Sequence, residues 1–109
     1  MDHGIDAITG IDRVHLSELP PLTTLLVWTT NSLYRVVVSE GANVYVQGGL
    51  FFPDPTSAHV DGASVGGRLL MVGWIGVGLL IEFHFGNNYV VTSPVLAITT
   101  ERSGQSVVH

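Results

Sequence analysis

The chain has 109 residues, of which 46% are hydrophobic, and a formal net charge of −5. This length corresponds to one domain, and the hydrophobic content excludes a generally disordered chain. The chain has nine acidic residues, four scattered arginines and no lysine. Nucleic acids and anionic membranes are bound by clusters of Lys and Arg, so we expect neither as a partner.

The first 23 residues differ in pattern from the rest and are predicted to form an N-terminal arm. Isolated apolar residues recur at three-residue spacing from Ile5 to Ile11, which indicates one or two helical turns packed on the domain. Pro20 and Pro21 would end such a helix. The first ten residues have neither the basic region nor the apolar core of a secretory signal peptide, so we expect a cytoplasmic protein.

From residue 24 onwards, β-branched and aromatic segments alternate with turn residues, which predicts strands. The domain, residues 24–102, is predicted to be all-β, a small barrel or rolled antiparallel sheet of six to seven strands, and residues 103–109 are predicted to be a polar tail. The predicted strands cover residues 23–30, 33–40, 44–47, 68–73, 79–85, 89–93 and 95–100.

Residues 50–67 are predicted to be a long irregular segment. Pro53 and Pro55 argue against a central strand, because proline cannot donate to a hydrogen-bond ladder. Phe51 and Phe52 are the pair that we most expect at an interface, since aromatic residues are enriched there. With Trp74, they are the predicted ligand-binding or interface residues.

The most apolar and glycine-rich segment, residues 69–92, has three interpretations. The uncharged run that ends at Ile81 has 13 residues, whereas a membrane-spanning helix needs about 20. A buried helix is disfavoured by Gly73, Gly76 and Gly78, each of which costs about 1 kcal/mol relative to Ala. Strands are therefore favoured, with these glycines at bends of the rolled sheet.

Glycine patterns in this segment give no sign of a cofactor. The order G-x-x-G-x-G differs from the dinucleotide-binding order G-x-G-x-x-G, and no strand, loop and helix surround it. The later group Gly86-Asn87-Asn88 instead predicts a tight hairpin turn in which these residues adopt positive φ.

Two pairs of polar residues could carry chemistry. Glu82 and His84 lie two apart on a predicted strand and so share one face, and His59 and Asp61 are two apart in the predicted loop. Together they have the composition of a metal site made of two histidines and carboxylates. The alternative is that all four are solvated surface residues, and nothing in the sequence brings the two pairs together.

Ser64 lies in the sequence Gly62-Ala63-Ser64-Val65-Gly66, which matches the G-x-S-x-G pattern of serine hydrolases. That mechanism requires a sharp turn between a strand and a helix of an α/β sheet. The chain is predicted to be all-β, so a Gly/Ser-rich turn before the next strand is the favoured interpretation.

Several short runs resemble a group of small uncharacterised bacterial proteins. These runs are TTNSLY at 29–34, QGG at 47–49, GG at 66–67, GWIGVG at 73–78 and TSPV at 92–95. The resemblance covers residues 24–100. It implies a compact β domain of unknown function and identifies no site residues.

The predicted function follows from the small number of charged residues available for the surface. Charged residues are 12% of the chain, about half the usual ~25%, and no lysine protects exposed strand edges. We therefore expect a non-enzymatic binding or assembly domain that self-associates, most simply as a dimer, without a cofactor or metal. The alternative is a small hydrolase or metal-dependent enzyme that uses His59, Asp61, Ser64, Glu82 and His84. A barrel that holds a small apolar ligand is a third hypothesis.

Overall fold

The structure, a computed structural model, describes residues 10–66 and 68–101. It confirms the predicted all-β class: these residues form ten strands and one 3-10 turn, η1 (Leu16–Glu18), and no α-helix. The strands are β1 (Arg13–His15), β2 (Thr24–Thr29), β3 (Leu33–Glu40), β4 (Asn43–Gly48), β5 (Phe52–Ser64), β6 (Leu70–Val72), β7 (Trp74–Gly76), β8 (Leu80–Phe85), β9 (Asn88–Val91) and β10 (Val95–Glu101). Across the described residues, no helix is long and apolar enough to cross a membrane.

Eight of the strands form one antiparallel sheet. Its order is β10-β2-β3-β4-β5-β8-β9, with β6 paired to β5 beside this path, and β1 and β7 form a separate two-stranded sheet. The main sheet is rolled rather than closed into a barrel. The strands beyond the seven predicted ones are β1, β5 and β7.

The prediction of an irregular segment over residues 50–67 is wrong, because β5 occupies most of it. The strand changes partners along its length: its first half, up to His59, pairs with β4, and its second half, from His59, pairs with β8. Pro53 and Pro55 lie in the first half, which has one strand neighbour. Proline is tolerated in such a segment because, on the side without a neighbouring strand, an N–H would have no ladder hydrogen bond to form.

The N-terminal segment is joined to the fold through β1 and η1. β1 pairs with β7, and His15 lies opposite Trp74. The helical turns expected in the arm are represented, within the described residues, by η1 alone. The N–H of Ile11 donates to Ile98 O at 2.8 Å, which ties the segment to β10 as well. Residues 1–9 and the predicted tail lie outside the described residues.

The core lies inside the roll, and several strands contribute alternate residues to it. In β3, for example, Tyr34, Val36 and Val38 are buried while their neighbours are not, as period-two alternation requires. Leu16 of η1 is fully buried in the same cluster. Phe52 and Phe83 pack edge to face with ring centroids 5.5 Å apart, an arrangement that aromatic rings favour.

The hairpin between β8 and β9 has a two-residue turn, since Phe85 pairs with Asn88. Gly86 has φ +59°, whereas neither Asn87 nor Asn88 has positive φ. The expectation of positive φ at the asparagines is therefore wrong. Positive φ at the first central residue alone is typical of a type II′ turn, which places Gly there.

Candidate functional site: a histidine–carboxylate cluster

The pairing of β5 with β8 brings together the two polar pairs that the sequence left apart. His59 lies directly opposite His84, and the register shifts between Val60 and Gly62. Asp61 is the extra residue of this β-bulge, a feature that redirects side chains. The bulge places the Asp61 carboxylate between the two imidazole rings.

Asp61 contacts both histidines through separate carboxylate oxygens. Its Oδ1 lies 3.0 Å from Nδ1 of His59, and its Oδ2 forms a hydrogen bond with Nδ1 of His84. A carboxylate can only accept, so each Nδ1 carries the proton that it donates. In a neutral ring the other nitrogen, Nε2, then holds the free lone pair. Both imidazoles are about half exposed, with relative side-chain accessibilities of 50% and 52%.

Glu82 is held by a different partner. It is only 7% exposed, and one of its carboxylate oxygens accepts a hydrogen bond from the hydroxyl of Tyr89. The ring of Tyr89 also packs against that of His84, with centroids 4.9 Å apart. The hydrogen bond to Glu82 is the main cause that raises the pKa of Tyr89 above its ordinary value of 10.0, and burial and the charges of Glu82 and Asp61 add to it.

These five residues, His59, Asp61, Glu82, His84 and Tyr89, form what we call the histidine–carboxylate cluster. Four of them are candidates from the sequence. Tyr89 was missed, although the hairpin contained the signal: a two-residue turn after Phe85 places Tyr89 opposite His84. The sequence could not show that Asp61 would meet His84, because that contact depends on the pairing of β5 with β8.

The cluster has the residue types of a metal site but not the arrangement of one. Within residues 10–66 and 68–101, no group of three or more histidine and acidic side chains is placed so that it could hold a metal ion. Glu82 is bound by Tyr89, and Asp61 accepts from both imidazoles. What the geometry provides is two imidazoles oriented by one carboxylate, an arrangement suited to accepting protons at Nε2.

Ser64 is not part of this cluster. It is the last residue of β5, it pairs with Leu70 and Leu80, and it is 1% exposed. Its Oγ has no hydrogen-bond partner among the described residues. The G-x-S-x-G match therefore lies at the end of a strand, without the strand-to-helix turn that exposes a hydrolase nucleophile.

The three predicted ligand or interface residues lie in different environments. Phe52 is completely buried and Phe51 is 59% exposed in the β4–β5 loop. Of this pair, then, only Phe51 is available at the surface. Trp74 is half-buried on β7, edge-on to His15 with centroids 5.2 Å apart.

Exposed apolar side chains concentrate in the β5–β6 hairpin. We call Val65, Leu69, Leu70 and Val72 the β6 patch; their exposed fractions are 52%, 61%, 42% and 68%. β6 pairs only with β5 in the described part of the chain. The patch thus combines exposed apolar side chains with a strand edge that no other described strand covers.

Comparison of the chain with family models, with curated proteins and with solved structures finds no match. The resemblance of residues 24–100 to small bacterial proteins therefore stays a prediction.

Proposed function

We propose that the protein is a non-enzymatic binding or assembly domain that self-associates, most simply as a homodimer, through the β6 patch. The observation that supports this proposal most is the apolar edge of β6, which among the described residues pairs with no strand other than β5. Leu69 to Val72 contain no charged residue. A strand edge of this kind is a template for pairing with another chain unless charges, prolines or a covering segment protect it.

Pairing of β6 with β6 of a second copy would form backbone hydrogen bonds along this edge and would bury its apolar side chains. Antiparallel pairing of two identical strands is isologous, so that one two-fold axis closes the assembly at two copies. The exposed side chains of Leu70 and Val72 lie two apart and share a face, on which they would contact the partner. Arg68, which precedes the strand, would lie at the two ends of the paired edge rather than in its middle.

Analytical ultracentrifugation at micromolar concentration tests this proposal. We expect the wild-type protein to sediment with twice the 11.7 kDa mass of the chain. The variant Val72→Lys should be monomeric, because a charged group in a paired apolar edge costs several kcal/mol in lost hydration. Leu96→Lys is the matched control, since Leu96 is 59% exposed on β10, and it should remain dimeric.

A wild-type monomer would contradict self-association. A wild-type dimer that persists in Val72→Lys would place the interface elsewhere on the surface. Far-UV circular dichroism of each variant establishes that the fold is retained.

A second candidate function is acid–base catalysis at the histidine–carboxylate cluster. The observation in its favour is that Asp61 orients two half-exposed imidazoles through their Nδ1 atoms. We expect added zinc to leave the melting temperature unchanged. A zinc-dependent rise would show metal binding to the native state, and its loss in His84→Ala would favour the metal-dependent enzyme.

A further inference from the structure

A pocket of about 170 Å³ shares no lining residue with the histidine–carboxylate cluster or the β6 patch. Three connections form it: the β2–β3 turn, the β4–β5 loop and the segment from β9 to β10. It is lined by Asn31, Ser32, Tyr34, Leu50, Phe51, Val90, Val91, Thr92 and Ser93. From this pocket we propose a binding site for a small, neutral, single-ring molecule that carries one hydrogen-bonding group.

The size of the pocket sets the size of the ligand. A cavity of about 150 Å³ in a protein interior accommodates benzene, so the volume here matches one six-membered ring with a small substituent. Pockets for drug-sized ligands have about 300–1,000 Å³. A nucleotide is larger than this volume and would not be enclosed by the pocket.

The lining residues determine the charge of the ligand. None of the nine carries a formal charge, and the side chains of Leu50, Phe51, Val90 and Val91 are apolar. A charged ligand would lose hydration without gaining an ion partner. A neutral ligand with a mainly apolar body is therefore favoured.

Tyr34 supplies the polar anchor. Its ring is buried and packs against Phe52, at a centroid distance of 6.5 Å, and against Phe83, at 6.2 Å, which restricts the positions that the hydroxyl can adopt. Burial raises the pKa of Tyr34, and the nearby side chain of Ser32 partly opposes this increase. The neutral hydroxyl can donate one hydrogen bond and accept another.

The frame of the pocket is fixed by hydrogen bonds. The N–H of Asn31 donates to Ser93 Oγ at 3.2 Å, and Thr92 Oγ1 accepts from the N–H of Ile81 at 3.0 Å. The first bond ties the β2–β3 turn to the β9–β10 connection, and the second ties that connection to β8. The site is therefore preformed on two of its three sides, which lowers the ordering cost of binding.

The third side is the β4–β5 loop, which places two exposed apolar side chains beside Tyr34. Leu50 and Phe51 are 86% and 59% exposed. Gly49, at φ +65°, passes so close to Tyr34 that an added Cβ would lie 2.7 Å from the hydroxyl oxygen. A ring bound against Tyr34 would cover part of the Phe51 side chain, and this gain in apolar burial favours binding.

Titration with phenol, followed by amide chemical shifts in two-dimensional NMR, tests the site. Phenol has the expected ring, one hydroxyl and no charge at pH 7. We expect saturable shifts confined to the lining residues, with a dissociation constant on the order of 1 mM, within the affinity that a ligand of this size can reach.

Two variants and one control assign the binding. Tyr34→Phe keeps the ring but removes the hydroxyl and should weaken binding by roughly three- to tenfold, as the loss of one hydrogen bond does. Phe51→Ala should weaken binding through lost contact area. Tyr45→Phe is the matched control, because Tyr45 lies on the outer face of β4 and is 50% exposed; it should bind phenol like the wild type.

Absence of saturable shifts, or unchanged affinity in both Tyr34→Phe and Phe51→Ala, would overturn the proposal. Tighter binding in Phe51→Ala would also overturn it, since the loop itself would then be the occupant. Because Phe51 is exposed, its variant tests the site even if Tyr34→Phe destabilises the core.

Discussion

Tyr89 links an exposed face of the sheet to a buried carboxylate. Its side chain is about half exposed, yet its hydroxyl donates to Glu82, the one charged residue that is buried among the described residues. Its ring also packs on His84. One side chain therefore satisfies a buried acceptor and supports one imidazole of the cluster, so its removal affects both.

The raised pKa of Tyr89 predicts a pH dependence of stability. In the unfolded chain the phenol ionises near its ordinary value of 10.0, and in the folded protein it ionises at a higher pH. The folded state therefore holds this proton more tightly. The resulting stabilisation is fully present below pH 10 and is lost as the pH rises through the folded pKa.

Urea unfolding at pH 8 and at intervals above pH 10 measures this effect. The wild type should lose more stability over this range than Tyr89→Phe, which lacks the titrating hydroxyl. Because Tyr34 also has a raised pKa, the difference between the two proteins, rather than the wild-type curve alone, is the relevant quantity. Parallel curves would contradict the link between Tyr89 and Glu82.

Among the elements, the β8–β9 hairpin has the most direct influence on the cluster. Its turn fixes the pairing of Phe85 with Asn88 and hence that of His84 with Tyr89. Gly86 holds the only positive φ of this turn. The position of Tyr89 over the cluster thus depends on a glycine that touches none of its residues.

The variant Gly86→Ala should lower the free energy of unfolding by about 1–2 kcal/mol, the cost of a left-handed conformation for a residue with a Cβ. An added Cβ would meet nothing within 4 Å, so this cost is one of backbone conformation alone. Asn87→Ala is the control, because Asn87 lacks positive φ, and it should change stability by less than about 0.5 kcal/mol. Equal effects in chemical denaturation would contradict the type II′ assignment.

The strand that the sequence predicted most closely is one with a long apolar alternation. β3 was predicted with the bounds that it has, since Leu33–Glu40 alternates between apolar and polar or exposed positions. β1 and β7 have three residues each, and β7 lies among the glycines that were interpreted as bends of the sheet. β5 was missed because its prolines are tolerated only where the strand has a neighbour on one side, which is a property of the sheet rather than of the segment.

The candidate site was predictable in composition but not in geometry. Spacing alone placed Glu82 and His84 on one face, and the structure shows them on β8. The bulge at Asp61 and the pairing of His59 with His84 join positions that lie 23 residues apart or more. No local pattern encodes such a pairing, so the sequence left open whether the two pairs meet.

At the scale of the whole molecule, the N-terminal segment is part of the core rather than an addition to it. Leu16 is fully buried among side chains of the main sheet, and its N–H donates to Gly73 O at 2.9 Å. Ile11, Val14 and Leu19 pack against the same core. The small sheet of β1 and β7 is thereby held to the large one by apolar contacts.

Leu16→Ala should therefore destabilise the protein by about 2–5 kcal/mol, the range for buried leucines. Leu22→Ala is the matched control. Leu22 belongs to the same segment but is 78% exposed, and its loss should cost much less. Similar midpoints for both variants in thermal unfolding would show that the segment contributes little to the fold.

The pairing of β2 with β10 has a consequence for how the chain assembles. Strands β2, β3 and β4 follow one another as hairpins, but β10 must return to β2 from the far end of the described chain, and the ion pair between Arg35 and Glu101 spans 66 positions. Closing so long a loop costs conformational entropy before any stabilising contact between β10 and β2 forms. We expect the hairpins to form early and β10 to dock late, so that folding takes milliseconds to seconds, as in other β proteins dominated by distant pairings. Until β10 docks, the edge of β2 remains open to other chains.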